Sequence, residues 1–138
     1  MKKLSTNAPC PCGSGVKYKK CCQKFHKGAK AKNALELMKS RYSAYATNNA
    51  YYILTTTHPN NPDFTNDTQR WLDDIAYFCH HTRFLGLKIV EFVEGESEAF
   101  VTFRATLSGG EMIEKSRFIK EDEAWYYESG EIMRPDHL

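Results

Sequence analysis

Four of the five cysteines fall within thirteen residues, Cys10-Pro11-Cys12-Gly13-Ser14-Gly15-Val16-Lys17-Tyr18-Lys19-Lys20-Cys21-Cys22, spaced as C-x-C, eight residues, then C-C. A segment so poor in large apolar side chains cannot hold itself together by burial, so a metal bound by the thiolates is the source of folding free energy that suits it. Zinc takes four soft or borderline ligands in a tetrahedron, and a closed set of four cysteines leaves no position for water, which marks a structural site. Gly13, Ser14 and Gly15 let the backbone turn tightly and aim amide N–H groups at the sulfurs. Nearby lysines favour the thiolate form. A redox role fits poorly, because the C-x-x-C spacing is absent and a bridge between adjacent Cys21 and Cys22 is strained. The Gly-Ser-Gly run lacks the Gly-Lys-Ser/Thr ending of a phosphate loop. Cys10, Cys12, Cys21 and Cys22 are the expected Zn2+ ligands, with His26 near enough in sequence to compete with Cys22.

Charge separates this segment from the rest. Residues 1–32 hold nine lysines and no acid, which leaves ten basic against seventeen acidic residues in 33–138. A basic segment of this kind suits a polyanion, either RNA or an acidic protein surface, and Lys17, Tyr18, Lys19 and Lys20 are the expected partner-binding residues. No run approaches the about eighteen apolar residues of a membrane span, and Met1-Lys2-Lys3-Leu4 leads into polar residues and prolines. The expectation is a soluble, cytoplasmic protein with reduced thiols and no membrane partner.

At 138 residues the chain is long enough for one core of ordinary size, from which the first thirty or so residues hang as an appendage. Residues 1–32 are therefore read as a basic zinc module with linker and 33–138 as the main domain. Residues 1–9 are expected to be disordered. Asn33 with Glu36 resembles a capping box, and Ala34, Leu35, Met38, Tyr42 and Tyr45 follow at helical spacing, which predicts a helix over 33–47. A short helix over 50–56 ends at His58-Pro59-Asn60-Asn61-Pro62. Trp71, Leu72, Ile75, Phe78 and Cys79 share a face of a third helix over 67–81, with Cys79 as a small core residue. From Arg83 the period changes to two. Leu85, Leu87 and Ile89 alternate, Val90 and Phe92 fall on the other phase, and a bulge near 90 reconciles them. Ala99, Val101, Phe103, Ala105 and Leu107 form the cleanest alternation. Ser108-Gly109-Gly110 and Glu121-Asp122-Glu123 then turn the chain into strands at 112–120 and 124–128. Helices followed by a four-stranded antiparallel meander define an α+β order.

Residues 10–22 resemble the SEC-C motif, the short zinc-binding element named after the tail of the preprotein translocase ATPase, in which the last ligand is histidine where this chain has Cys22. That resemblance implies a mobile module that contacts protein partners, such as an export chaperone, or the ribosome. The remainder resembles the YchJ family through Leu37-Met38-Lys39-Ser40-Arg41-Tyr42-Ser43-Ala44-Tyr45, Thr57-His58-Pro59, Leu85-Gly86-Leu87, Glu114-Lys115-Ser116-Arg117-Phe118 and Trp125-Tyr126-Tyr127. Some relatives carry a second SEC-C motif, whereas this sequence closes on Asp136-His137-Leu138. The family resemblance implies helices packed on a curved antiparallel sheet, a cystatin-like or nuclear transport factor two-like cone, with a homodimer formed through the open face of the sheet.

The cone raises a second function class, a small-molecule-binding protein or enzyme. Arg41, Tyr42, Tyr45, His58, Trp71, Glu114, Arg117 and Trp125 are its candidate pocket residues. Arg41 lies about 60° from Met38 on a helical wheel, so it edges the buried face, where an acid such as Glu114 is its expected partner. The sequence assigns none of them a catalytic role. Cys79-His80-His81 is no second metal site, since adjacent residues on a helix diverge by about 100°.

Overall fold

A computed structural model describes residues 5–134. Its architecture follows from three helical segments laid over one antiparallel sheet. A 3-10 turn at Tyr18–Lys20 and a single turn of helix, α1 (Gln23–His26), precede α2 (Ala34–Ala46), α3 (Ala50–Thr55) and α4 (Thr68–His80). Strands β1 (Phe84–Val93), β2 (Glu98–Leu107), β3 (Gly110–Glu121) and β4 (Ala124–Ile132) form a meander in the order β1-β2-β3-β4. The α+β order expected from the sequence is the one observed.

The helix starts are written in local chemistry. Asn33 accepts the Glu36 amide at 2.8 Å, and the Glu36 carboxylate reaches back to the Lys32 amide at 3.0 Å, one residue further than the reciprocal bond of a capping box. Asn49 and Asp67 cap α3 and α4 in the same way. Helix α2 lies across the sheet and packs Ala34, Leu37, Met38 and Tyr42 on Ala99, Val101, Phe103 and Ala105 of β2, with Phe118 and Trp125 closing the far side. A second cluster of Ala44, Ile53, Trp71, Ile75 and Cys79 fastens α3 and α4 to α2. Cys79 is fully enclosed there, and burial pushes its thiol up to about 11.

Strand β1 departs from the expected phase. Its register against β2 slips twice, between Phe84 and Gly86 and again between Ile89 and Glu91. The second slip is the bulge expected near residue 90. The first extrudes Leu85, which is 59% exposed and not inward-facing, and Phe84 takes its place against the core. On β4, one extra residue, Glu128, sits between the partners of Arg117 and Phe118, and the strand runs to Ile132, beyond the expected end at 128. The outer edge of β4 is not left bare: Tyr127 and the 56–58 segment exchange backbone hydrogen bonds of 2.8 and 2.9 Å in a parallel bridge.

The N-terminal segment does not hang free. Tyr18 and Lys19 donate amide hydrogen bonds to Ala8 and Thr6 at 2.9 and 3.0 Å, and Pro9 bridges Lys17, so part of the stretch expected to be disordered is paired. Residues 1–4 of that stretch lie outside the described residues.

Candidate metal centre and cavity

The cysteine loop folds because two of its residues occupy the left-handed region. Gly13 and Gly15 both have φ of +82°, a conformation that L side chains rarely adopt. The Gly13 amide donates to the Cys10 carbonyl at 3.1 Å and the Cys10 amide to the Val16 carbonyl at 2.9 Å, which closes the loop on itself. As a result the Sγ atoms of Cys10, Cys12, Cys21 and Cys22 all lie within 4.8 Å of one another. Cys12 and Cys21 are 3.6 Å apart, and none of the four is in a disulfide. Four thiolates about 2.3 Å from one tetrahedral metal ion, the usual zinc–sulfur length, stand about 3.8 Å from each other, so the donor set fits such an ion closely.

Protonation argues in the same direction. Hydrogen bonds from Cys12 and Cys22 hold the Cys10 thiol far below its usual range, and Ser43 adds to the effect. The same contacts with Cys10 push Cys12 and Cys22 up. Thiols this close cannot all ionise together without a cation among them. Two hydroxyls support the sulfurs: Ser43 Oγ from α2 stands 3.4 Å from Cys10 Sγ, and Ser14 Oγ stands 3.2 Å from Cys21 Sγ.

His26 is not a rival ligand, because both ring nitrogens are occupied. Its Nε2–H donates to the Ser40 carbonyl at 2.8 Å, which leaves Nδ1 to accept the Tyr18 hydroxyl at 2.6 Å. Burial holds the imidazole below its usual range, in keeping with a neutral ring. The relay fastens the cysteine loop to α2. It also removes Tyr18 from the surface: of the four residues expected to meet a partner, Lys17, Lys19 and Lys20 are exposed, and Tyr18 is buried beneath them. Lys17, Lys19, Lys20, Lys24, Lys27 and Lys30 have no acidic partner among the described residues, while Lys32 reaches Glu36 at 3.7 Å.

The expected pocket residues divide into two groups. Arg41, Tyr42, Tyr45 and Glu114 line a cavity of about 240 Å³ between α2 and the sheet. His58 instead sits in the loop after α3, where Nδ1 accepts the Asn60 amide at 3.0 Å and Nε2 donates to Glu121 at 2.6 Å. Trp71 packs edge-on against Phe64 in the α3–α4 cluster, and Trp125 belongs to the main core. Arg117 points to the other face of β3, where it pairs with Glu98 at 2.6 Å and with Glu128. The alternation of β3 carries the signal for this separation, since Arg117 is three residues from Glu114 and therefore on the opposite face.

Arg41 does not pair with Glu114. Its Nη1 donates to the Ile53 carbonyl at 3.1 Å and to the Thr56 and Thr57 hydroxyls at 2.7 and 3.1 Å, at the C-terminal end of α3 where carbonyls lack helical partners. The guanidinium lies 4.5 Å from the centre of the Tyr127 ring. Glu114 Oε2 accepts the Ser116 hydroxyl at 2.5 Å and the Tyr127 hydroxyl at 3.0 Å. Burial, and then the Glu114 charge, raises Tyr127 well above the ordinary tyrosine range, so its proton stays in place to donate. Gly130 gives this group its space, because a Cβ there would come within 2.3 Å of Glu114 Oε2. Tyr127 and Ser116 are named from the sequence only within the segments that carry the family resemblance and not as pocket residues, although each shares a strand face with a pocket candidate, Trp125 and Glu114 respectively.

Comparison with known proteins agrees with both parts of the chain. Residues 33–130 match the model of the YchJ middle NTF2-like domain, and residues 7–24 match the SEC-C motif. A UPF0225 protein of Streptomyces coelicolor is 40% identical over 129 residues, covering 91% of this chain and 96% of that protein. Among solved structures, a SEC-C motif containing protein from Rhodopseudomonas palustris superposes with a TM-score of 0.77 at 32% identity, covering 92% of this chain and all of the other. One from Psychrobacter arcticus gives 0.76 at 25% identity, covering 94% of this chain and 85% of the other. With its middle domain and its cysteine motif both matched, the chain belongs to the YchJ family.

Proposed function

We propose that the protein is a binding protein in which a structural zinc ion, held by Cys10, Cys12, Cys21 and Cys22, fixes a lysine-bearing face that docks on the phosphate backbone of a structured RNA such as the ribosome presents. The observation that carries this reading is the closed set of four sulfurs within 4.8 Å, with His26 engaged elsewhere. A tetrahedron completed by protein thiolates has no open position for substrate, so the metal shapes a surface and performs no chemistry on it. The six lysines without an acidic partner supply the charge. With Tyr18 buried, no aromatic ring stands among Lys17, Lys19 and Lys20 to stack on a base, so the face reads phosphate and not sequence.

The test combines metal content with salt dependence. Purified protein should carry about one equivalent of zinc, and the Cys10→Ser/Cys12→Ser variant should carry none. Binding to ribosomal RNA should weaken with salt at a log–log slope of about −5, the value for six lysine contacts on duplex phosphate. Binding that is flat in salt, or unaffected by loss of the cysteines, refutes the reading. Binding to an acidic protein in preference to RNA would replace the partner.

A further inference from the structure

The cavity between α2 and the sheet contains an unusual polar group. Arg41 is 7% exposed, and its guanidinium has five N–H donors, of which the hydrogens on Nη1 serve α3. Nε and Nη2 have no hydrogen-bond partner among the described residues, and Arg41 enters none of their ion pairs. These atoms are not sealed in. The one buried side-chain atom left both sealed and unpartnered among the described residues is Arg104 Nε, so Nε and Nη2 of Arg41 keep some accessible surface, and Arg41 is one of the residues that line the cavity. A buried cation with unpartnered N–H donors beside a cavity is matched by an oxyanion, and a carboxylate fits it with two parallel hydrogen bonds.

The rest of the wall defines the remainder of a ligand. Phe78, Phe84, Phe103, Leu107 and Met112 make one end apolar, and Ala105 between Phe103 and Leu107 leaves the space open. A cavity of about 150 Å³ is enough for benzene. The 240 Å³ here therefore admits a ring or branched chain of that size together with a short polar head. At the hydroxyl of the Tyr127 ring that Arg41 lies over, Glu114 has Oε2 occupied by Ser116 and Tyr127, while Oε1 accepts nothing within the described residues. A plain carboxylate would feel that acid as repulsion. A carboxylate accompanied by a hydroxyl or amine would satisfy both groups.

We propose that this cavity binds a small apolar carboxylic acid that also carries a hydrogen-bond donor, with the carboxylate on the free edge of Arg41, the donor on Glu114 and the apolar body among the phenylalanines. The site is independent of the cysteine cluster, so the two proposals stand or fall separately.

The experiment titrates the full-length protein with three matched probes by calorimetry and by NMR shift mapping: 3-phenyllactate, 3-phenylpropionate and 3-phenylpropanol. Phenyllactate should bind tightest and the alcohol weakest. The acids should exceed the alcohol by about tenfold or more, the ratio expected when a charged hydrogen-bonded pair is made. Arg41→Gln should abolish the preference of the acids over the alcohol. Ala105→Phe, which fills the cavity and leaves Arg41 in place, should abolish binding of all three while the circular dichroism spectrum stays native. The proposal is overturned if no probe binds more tightly than about 1 mM, if acid and alcohol bind alike, or if binding survives Ala105→Phe.

Discussion

Tyr18→Phe isolates the contact that docks the cysteine loop on α2. The substitution keeps the ring in its buried seat and removes only the hydroxyl that donates to His26 Nδ1 at 2.6 Å. His26 cannot turn to recover the bond, because its other nitrogen is held on the Ser40 carbonyl at 2.8 Å and its ring stands against Tyr52 with centroids 4.8 Å apart. A buried acceptor left without a donor costs about 1–3 kcal/mol, and because His26 is only half-buried the lower part of that range, about 1–2 kcal/mol, applies. For a domain of this size that corresponds to a fall in Tm of about 4–8 °C. Urea unfolding of zinc-saturated wild type and variant, read by the fluorescence of Trp71 and Trp125, measures the difference without changing the metal content. A variant whose midpoint and slope both match wild type would show that the relay contributes nothing. The loop would then be held by the metal alone, as a tethered module would be.

The other perturbations separate the parts of the molecule. Because burial depresses the His26 pKa, its stabilising contribution is complete above the unfolded value of 6.5 and is lost as pH falls below that through the lower folded value; the urea midpoint of wild type relative to His26→Gln should therefore be flat from pH 8 to 7 and fall toward pH 5. Cys79→Ser places a hydroxyl in the α3–α4 cluster and should cost about 1–3 kcal/mol while leaving zinc stoichiometry unchanged, whereas a fall in bound metal would mean that the fifth cysteine takes part in the site. Asp122 and Glu123 both have positive φ, 51° and 65°, in the β3–β4 turn, so Asp122→Asn/Glu123→Gly should raise stability by about 1 kcal/mol despite losing the exposed Lys120–Glu123 pair; a lowered Tm would refute the strain assigned to that turn.

What the sequence shows about the fold depends on how local the cause is. Asn33, Asn49 and Asp67 act within three residues of themselves, and each helix begins where its cap stands. On β2 the inward positions Ala99, Val101, Phe103 and Ala105 are all buried as the alternation predicts, and the strand keeps unbroken register with β3, although Thr102 on the other phase is buried too. Leu85 misleads because its exposure is decided by a register slip against Leu107 and Thr106, more than twenty residues away along the chain. The length of β4 is hidden for a similar reason: Ser129, Gly130 and Glu131 have little strand preference of their own and are extended because β3 pairs with them. The four clustered cysteines, by contrast, lie within one short loop, and their arrangement needs no long-range information.

Helix α2 shows where a one-face reading of periodicity stops. Its spacing places Ala34, Leu35, Met38, Tyr42 and Tyr45 toward a core and leaves Ser40, Arg41 and Ser43 to the edges or the solvent, yet Leu37 and these three polar residues are buried while Leu35 and Tyr45 are only partly so. The reason is that the helix meets a different neighbour on each side. Ser43 and the Ser40 carbonyl face the cysteine loop, Arg41 reaches the end of α3 and the cavity, and Leu37 and Met38 rest on the sheet. Small hydroxyls suit such a position, because they admit a close neighbour and still bond to it or to the helix, as Ser40 does with the Leu37 carbonyl at 2.9 Å. A polar residue on a helix buried all round is therefore the trace of a second contact, and on α2 those traces point to the cysteine loop on one side and to the Arg41 cavity on the other.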